Sequence, residues 1–382
     1  MNNPFHYHIY SNTEKLPTEW DNLAINNVFL TKKYLEVLDV SKPKNMECQY
    51  IGIFENQTLI GIAIAQYLDL NQIESFQSDK SCFKSKIKKL LFKYFSSKVL
   101  FVGNNMLTGQ NAFIFKETVD KKMALQTLKL ASKELKSNYK SKGKNIHIIT
   151  FKDFNTEELP NFSISEFQED YQFSTQPNMI FSVNPIWNNE VDYINALSKK
   201  YRDQYKRARK KMVGIEKRKL DNTEIIKLED KIYELYLHVA QNAPFNTFFL
   251  EKNHFSVFKK QLKHDFLFYG YFLNNQLIGF NTLIKNKGIM ETYFLGYDET
   301  IQREKMLYLN MLYDMIAYSI NKGYNSIIFA RTALEIKSSV GAKPIEMYGY
   351  MQHQNKIINS QMKWLFNYFE PKTIWKQRNP FK

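Results

Sequence analysis

An internal repeat is the feature of this sequence that most restricts its fold. Residues 52–61 read GIFENQTLIG and residues 270–279 read GYFLNNQLIG, so six of ten positions are identical at an offset of 218. In both segments, apolar residues alternate along the chain on either side of an Asn-rich turn. This pattern predicts a β-hairpin in each half of the chain.

Two further matches follow the same order along the chain. FLTKKYLEVL (29–38) matches FLEKNHFSVF (249–258), and KGKNIHIITF (142–151) matches KGYNSIIFAR (322–331). An amphipathic helix is predicted before each Lys-Gly pair, the glycine ends that helix, and a strand follows. Each half is therefore predicted to run helix, hairpin, further strand, helix, strand. The offset falls from 218 to 180 between the matches, so the first half carries about 38 extra residues.

The repeat predicts two domains in a chain of 382 residues, at roughly 150 residues per domain. We expect an N-terminal domain over residues 1–170, with a basic helical insertion at about 71–98, and a C-terminal domain over residues 171–382. The boundary is predicted near residues 160–178. The fold class is α/β (α+β), with two mixed-sheet units.

The net charge of +15 is concentrated in two segments. Residues 199–219 carry eleven Lys or Arg against two acids, and residues 80–98 carry seven Lys and no acid, so the rest of the chain is close to neutral. A Lys-rich genome is the alternative explanation, but it would spread the excess evenly. Local excess favours anionic partners, either nucleic acid, a phosphate-rich substrate or an anionic membrane surface. Segment 80–98 also has the apolar spacing of a helix that lies on a bilayer or packs on its own domain.

Several classes of protein are excluded by composition. Two cysteines, Cys48 and Cys82, cannot form a disulfide framework or a cysteine-based zinc site, and they fit a reducing cytoplasm. The seven histidines show no zinc-like spacing, so no metal is expected. The first ten residues, MNNPFHYHIY, lack the pattern of a signal peptide, and no apolar run approaches the ~18 residues of a membrane span. We expect a cytoplasmic protein, with the inner face of the membrane as an open alternative.

The predicted unit resembles the GNAT acyltransferase fold, and the tandem pair resembles the Fem-type aminoacyltransferases and other FemAB-like, double-GNAT proteins of peptidoglycan biosynthesis. The resemblance covers nearly the whole chain and rests on five segments: VLFVGNNMLTGQNAFIF (99–115), QPNMIF (176–181), LSKKYRDQYKRARKKMVGIEKRKLDN (197–222), YFLGYDE (293–299) and FARTALEIKSSVGAKP (329–344). It implies a tandem GNAT fold and acyl transfer, with acyl-CoA or aminoacyl-tRNA as the donor.

The sequence departs from the acetyl-CoA-using members at one loop. In those members, a glycine-rich loop after the central strand holds the pyrophosphate through its backbone N–H groups. Here residues 297–306 contain no glycine, and other residues keep a phosphate away from the backbone. This departure fits the aminoacyl-tRNA-using members better.

Three groups of residues are candidates for the chemistry. In the basic helix, Arg202, Lys206 and Arg209 are predicted to share one face and to bind phosphates, opposite an apolar face that includes Tyr201 and Tyr205. The alternative is a solvated helix face.

The second group follows the strand that ends at Ala330. Arg331 and Lys337 are candidates to bind an anionic group, and Glu335 is a candidate to orient Arg331 or to act as a base. A structural Arg–Glu pair is the alternative for this group.

The third group lies at the end of the central strand. Direct attack of an amine on a carbonyl needs a donor to the carbonyl oxygen, a base and an acid. Tyr293 and Tyr297 are candidate acids, and Asp298 or Glu291 a candidate base; plain packing is the alternative for the tyrosines.

These observations predict an N-acyltransferase that transfers an acyl or aminoacyl group to an amine of a large anionic acceptor, such as a cell-wall precursor. The second half is expected to be catalytic. Two alternatives remain open: an acyl-CoA-dependent N-acetyltransferase acting on another amine, and a non-catalytic degenerate GNAT module that binds RNA or an envelope lipid.

Overall fold

Both hairpins predicted by the repeat are present in the computed structural model, which describes residues 3–72, 96–243, 246–369 and 375–382. Strands Met46–Glu55 and Thr58–Asp69 form the first, with a turn at Asn56 (φ 53°). Strands Phe266–Leu273 and Gln276–Asn286 form the second, with Asn274 and Asn275 at φ 51° and 62°. Asparagine adopts this left-handed backbone more readily than most residues. The Asn-rich turns therefore explain why both chain reversals occur where they do.

The first unit comprises Met1–Thr175, Asn246–Glu251 and Glu346–Lys372. Its strands are β1 (Phe5–Tyr10), β2 (Met46–Glu55), β3 (Thr58–Asp69), β4 (Lys98–Val102), β5 (Phe113–Phe115) and β6 (Ile148–Phe154). Its helices are α1 (Trp20–Ala24), α2 (Lys32–Ser41) and α3 (Lys121–Ser141). Strand β5 pairs with β3, and the parallel pair β4–β6 lies beside the hairpin.

The second unit comprises Gln176–Phe245, Lys252–Ile345 and Thr373–Lys382. Its strands are β7 (Tyr171–Ser182, from residue 176), β8 (Ile215–Lys219), β9 (Phe266–Leu273), β10 (Gln276–Asn286), β11 (Ile289–Tyr297) and β12 (Ser326–Ala330). Its helices are α4 (Glu190–Ala196), α5 (Lys199–Lys211), α6 (Asn222–Lys227), α7 (Glu229–Gln241), α8 (His254–Leu262), α9 (Glu299–Lys305), α10 (Leu307–Asn321) and α11 (Leu334–Ser339).

Strand β13 (Lys343–His353) is followed by α12 (Lys356–Ser360) and α13 (Met362–Phe369). Residues 348–353 of β13 pair with β6, and the chain from residue 346 belongs to the first unit. The sequence analysis assigned this segment to the C-terminal domain, because a prediction from sequence order divides a chain into continuous pieces. The insertion predicted at about 71–98 falls largely on residues 73–95, which lie outside the described residues.

The two units repeat one strand order. Strands β1-β2-β3-β4-β6 in the first unit correspond to β8-β9-β10-β11-β12 in the second, and each series ends in a parallel pair. The helix before the last strand is followed in both units by a glycine with positive φ, Gly143 (75°) after α3 and Gly323 (71°) after α10. The repeat is therefore confirmed as a duplication of topology.

Apolar packing in the second unit positions the candidate site. Helix α10 buries Leu309, Met311 and Ile316 in a cluster that also contains Met290 of β11 and Ile327 of β12. This core holds the parallel pair β11–β12 in place. Among the helices in the described ranges, none combines the length and apolarity needed to cross a bilayer.

Candidate functional site

The parallel strands β11 and β12 separate after three residue pairs. Residues 289–291 pair with residues 326–328, whereas β11 continues to Tyr297 and β12 ends at Ala330. Both strands carry a bulge near the point of separation, since β11 fits Tyr293 and Phe294 opposite Thr282 and β12 has an extra residue at Phe329. Bulges increase local twist and bend a strand away from its neighbour. The carboxyl ends of parallel strands are where ligands bind in many α/β folds.

The chain leaves β12 in a strained conformation. Ala330, Thr332 and Ala333 have φ of 59°, 65° and 46°, values that residues with a side chain seldom adopt. Such strain is concentrated at functional sites in many proteins. The loop formed by residues 330–333 leads directly into α11.

Lys337 and Arg331 are both held by backbone carbonyl groups around this loop. The Lys337 ammonium donates to the carbonyl oxygens of Ala330 (3.3 Å) and Arg331 (2.5 Å), and Arg331 Nε donates to the carbonyl of Gln176 (3.2 Å). Burial lowers the pKa of Lys337 to about 7 and that of Arg331 to about 10. The two residues expected to bind an anion therefore lie together at the carboxyl end of β12.

A cavity of about 760 Å³ lies beside this loop within the second unit. Its lining comes from the middle of β7, the first turns of α5, the loop with α11, and the C-terminal segment: Gln176, Lys200, Tyr201, Gln204, Thr332, Ala333, Leu334, Glu335, Ile336, Ser339, Trp375 and Arg378. Its size is that of a site for a small ligand or the end of a larger one. Aromatic, amide and charged side chains all face it.

Glu335 pairs with Arg378, and not with Arg331 as one sequence interpretation had it. The carboxylate accepts from Arg378 Nε at 3.0 Å and also from Nη2. Hydrogen bonds from Arg378 lower the pKa of this exposed carboxyl, so Glu335 is ionised at neutral pH. Arg378 was missed in the sequence, because no motif connects a C-terminal arginine to a loop more than 40 residues earlier.

Helix α5 separates its cations into two sets. Lys206 is exposed and Arg202 half-buried, which fits a phosphate-binding face and a solvated helix face equally. Arg209 instead forms ion pairs with Glu190 (2.9 Å) and Asp314 (2.7 Å) and packs over the Tyr205 ring. Arg209 is therefore not part of the exposed face with which the sequence analysis grouped it. It lies at the edge of the apolar face, where its side chain packs on Tyr205 and its guanidinium pairs with Glu190 of α4 and Asp314 of α10.

The candidate acids lie on β11, beyond its last pair with β12. Tyr293 OH lies 3.0 Å from His254 Nε2, and His254 is fully buried at the start of α8. Burial, with Glu299 nearby, raises the pKa of Tyr297. His254 was missed as a candidate, although the repeat contained a signal, since His254 aligns with Tyr34 of the first half. Tyr34 makes a buried hydrogen bond in its own unit, from Asn104 Nδ2 at 2.7 Å.

The two candidate bases differ in their surroundings. Asp298 caps α9 by accepting from the backbone N–H (2.9 Å) and the hydroxyl (2.6 Å) of Thr300, and the hydroxyl bond is the largest cause of its lowered pKa. Glu291 is buried where β11 and β12 separate. Burial raises its pKa to about 8, although a hydrogen bond from the Asn286 side chain lowers it in part.

The described residues contain no group of three or more His, Cys, Asp or Glu placed to hold a metal ion. No family model matches the sequence. A comparison with curated proteins finds no match either.

Two solved structures share the fold over nearly the whole chain. The crystal structure of FemX matches with a TM-score of 0.53 at 11% identity, covering 96% of this chain and 100% of FemX. A tandem GNAT protein from the clavulanic acid biosynthesis pathway, solved without AcCoA, matches with a TM-score of 0.50 at 8% identity, covering 92% of this chain and 99% of its own. The chain therefore has the FemAB-like tandem GNAT fold, as the sequence resemblance indicated.

Proposed function

We propose that this protein is an N-acyltransferase whose reaction centre lies in the second unit, at the carboxyl ends of β11 and β12. The observation that carries the proposal is the separation of these two parallel strands in a chain with a tandem GNAT fold. A cavity of about 760 Å³ lies beside the loop that follows β12. A gap between two strands presents backbone N–H and C=O groups along its edges. An extended acyl group can bind there by hydrogen bonds, as a further strand would.

The chemistry is direct attack of an amine on the donor's carbonyl carbon. The C–N bond forms, the bond to the leaving group breaks, and the amine loses a proton while the leaving group gains one. Backbone N–H groups at the β11 bulge would stabilise the developing oxyanion. Tyr293 is a better candidate acid than Tyr297, because the Tyr293 hydroxyl already shares a hydrogen bond with His254 Nε2. Glu291 is a better match than Asp298 for the base, because a base is most effective when its pKa is close to the working pH.

The surroundings of α9 support aminoacyl-tRNA over acyl-CoA as the donor. The Asp298 carboxylate already accepts from the Thr300 N–H at the start of this helix, where a pyrophosphate would need free N–H groups. The exposed cations of α5, Lys206 and Lys210 among them, could contact a phosphate backbone instead. The proposed acceptor is an amine on a large anionic cell-envelope precursor. Such a donor places the reaction in the cytoplasm or at the inner face of the membrane.

Binding and transfer measurements test the proposal. Acetyl-CoA, a longer acyl-CoA and charged tRNA are each titrated against the protein, and transfer to amine acceptors is followed by mass spectrometry. We expect tRNA binding and aminoacyl transfer, reduced 10²-fold or more in Tyr293→Phe if its hydroxyl protonates the leaving group. Tyr318→Phe, which removes a half-buried hydroxyl of α10, is the matched control and should keep full activity.

Three outcomes would contradict parts of the proposal. Acyl-CoA binding tighter than about 100 μM without tRNA binding would replace the donor by acyl-CoA. Unchanged transfer in Tyr293→Phe would remove this residue from the mechanism. Binding of RNA or envelope lipid without any transfer would identify a non-catalytic module.

A further inference from the structure

The loop that shapes the cavity is held in an unfavourable backbone conformation. Three non-glycine residues, Ala330, Thr332 and Ala333, lie in the left-handed region directly after the β12 bulge. Each such residue costs on the order of 1 kcal/mol or more unless the surroundings compensate. Thr332 and Ala333 line the cavity, so whatever holds the loop also sets the shape of the cavity.

Lys337 provides the compensating contacts. It lies on α11 at 5% exposure, and its ammonium donates to the carbonyl oxygens of Ala330 and Arg331, which belong to two consecutive peptide units. Leu334, buried at 4% exposure, anchors the start of α11, and Lys337 N–H donates to the carbonyl of Ala333 at 3.2 Å. Within the described part of the chain, no carboxylate pairs with Lys337. The hydrogen bonds of its ammonium therefore go to carbonyl groups of the loop.

A buried lysine of the first unit shows what is unusual here. Lys152 lies near the end of the matching strand β6, and its ammonium also donates to two backbone carbonyls, those of Asn104 (3.2 Å) and Leu107 (3.4 Å). Lys152 is in addition ion-paired with Asp153. A carboxylate stabilises the charge of a buried ammonium, and Lys337 has only carbonyl dipoles for that purpose.

We infer that Lys337 is a positioning residue for the cavity, whose ammonium fixes the left-handed loop 330–333 and, through it, the cavity wall. The inference rests on the proposed function only in assigning the cavity to a substrate. The charged form is the effective one, because hydrogen bonds from an ammonium are roughly twice as strong as those from a neutral amine. Loss of the Lys337 proton therefore loosens the loop.

Burial, and not a nearby charge, sets the direction in which Lys337 responds to pH. Of the charged groups nearby, Arg331 lies on the same loop, Lys200 lines the cavity from α5, and Glu335 is ion-paired with Arg378 of the C-terminal segment. Burial is the cause that lowers the pKa of Lys337 to about 7. The ammonium, and with it the fixed loop, is present below this pH and is lost as the pH rises through it.

The unmodified protein tests the inference without any substrate. The ¹³Cε resonance of Lys337 and the amide resonances of Thr332 and Ala333 are followed by NMR between pH 5.5 and 8.5. We expect the loop resonances to shift with a common midpoint near 7. Protection of the Lys337 amide against hydrogen exchange, which donates to the Ala333 carbonyl of the loop, should fall about tenfold, equivalent to the loss of one hydrogen bond to a charged group. Loop resonances that ignore the Lys337 titration, or a Lys337 that stays charged to pH 8.5, would overturn the inference.

Three variants separate positioning from general stability. Lys337→Met should give low, pH-independent protection of the amide at position 337, and Lys337→Arg should restore this protection at all these pH values. Lys200→Met, which removes an exposed cation of the same cavity, should behave as the parent protein. If Lys337→Met does not fold, the titration of the parent protein still decides.

The result is independent of the proposed reaction. A loop that follows Lys337, combined with no transfer activity, would retain the positioning role and reject the acyltransferase. Transfer activity with a loop that ignores Lys337 would do the reverse.

Discussion

Burial shifts the pKa values of two side chains of the second unit towards neutral pH, one upwards and one downwards. The pKa of Glu291 is raised to about 8, and that of Lys337 is lowered to about 7. In both residues desolvation is the largest cause, because neither has an oppositely charged partner among the described residues. Perturbed pKa values of this kind are concentrated at functional sites. Their location, at the last pair of β11–β12 and at the loop after β12, agrees with the proposed centre.

Glu291 should make stability depend on pH. Its pKa is about 8 when folded and near 4.5 in the unfolded chain, so the folded state binds more protons between these values. Its contribution is complete below pH 4.5 and is lost as the pH rises through 8, a change on the order of 5 kcal/mol. Glu291→Gln should remove this slope, leaving the free energy of unfolding higher than in the parent at pH 8.5. Urea unfolding at pH 5 and 8.5 measures it.

Glu304→Gln is the control for this prediction, because its carboxylate is exposed on α9. It should leave the pH dependence of the parent protein unchanged. A parent protein whose stability does not fall between pH 5 and 8.5 relative to Glu291→Gln would show that Glu291 is not buried as described.

Gly296 allows a helix to lie directly on β11. A Cβ at this position would be 2.5 Å from the carbonyl carbon of Leu235 and 2.6 Å from the nitrogen of Tyr236, both backbone atoms of α7. Backbone cannot move aside as a flexible side chain can. Gly296→Ala should therefore lower the free energy of unfolding by about 3 kcal/mol. Gly323→Ala, with open space around it and φ of 71°, should cost about 1 kcal/mol; equal losses in urea unfolding would contradict the prediction.

At the scale of elements, the sequence was informative wherever a local pattern decides the structure. The Asn turns predicted both hairpins, and Gly143 and Gly323 predicted the ends of α3 and α10. The sequence was uninformative where the position of a side chain depends on a partner that is distant along the chain. Arg209 turned inward because Glu190 and Asp314 meet there.

The candidate site shows the same division. The grouping of Arg331, Glu335 and Lys337 followed from their spacing after a strand. The pairing of Glu335 with Arg378 and of Tyr293 with His254 depends on contacts between segments at least 39 residues apart. The repeat alone could have indicated His254, through its alignment with Tyr34.

The two sets of cations on α5 should behave differently towards a polyanion. Lys206 and Lys210 are exposed, so replacing both by Gln should weaken tRNA binding and reduce the slope of log K against log salt by about 1 for each phosphate that is no longer neutralised. Arg209→Gln should instead lower stability, by breaking two ion pairs, and leave the slope unchanged. Filter binding between 50 and 200 mM salt measures the slope. A flat salt response in the parent protein would argue against a phosphate-binding role for α5.

At the scale of the whole molecule, the two units share one topology but differ at the end of the last strand of the repeat, β6 in the first unit and β12 in the second. In the first unit, the end of β6 is occupied by its own side chains, with Lys152 bonded to two carbonyls and to Asp153. In the second, the end of β12 opens on a cavity. The expectation that the second half is catalytic remains a prediction, and this difference supports it.

Strand β13 makes a C-terminal residue part of the first unit. Gly349 pairs with Lys152 of β6, and a Cβ there would lie 2.7 Å from the Phe151 carbonyl oxygen and 2.4 Å from the Phe173 ring. Gly349→Ala should therefore loosen the first unit, although residue 349 lies close to the C-terminal end of the sequence. Hydrogen exchange should show lower protection in β4 and β6, about tenfold or more for a loss of 1.4 kcal/mol, with β9 and β10 unchanged. Gly296→Ala should give the opposite pattern. If Gly349→Ala instead exposes β9 and β10 and spares β6, the assignment of residues 346–372 to the first unit is wrong.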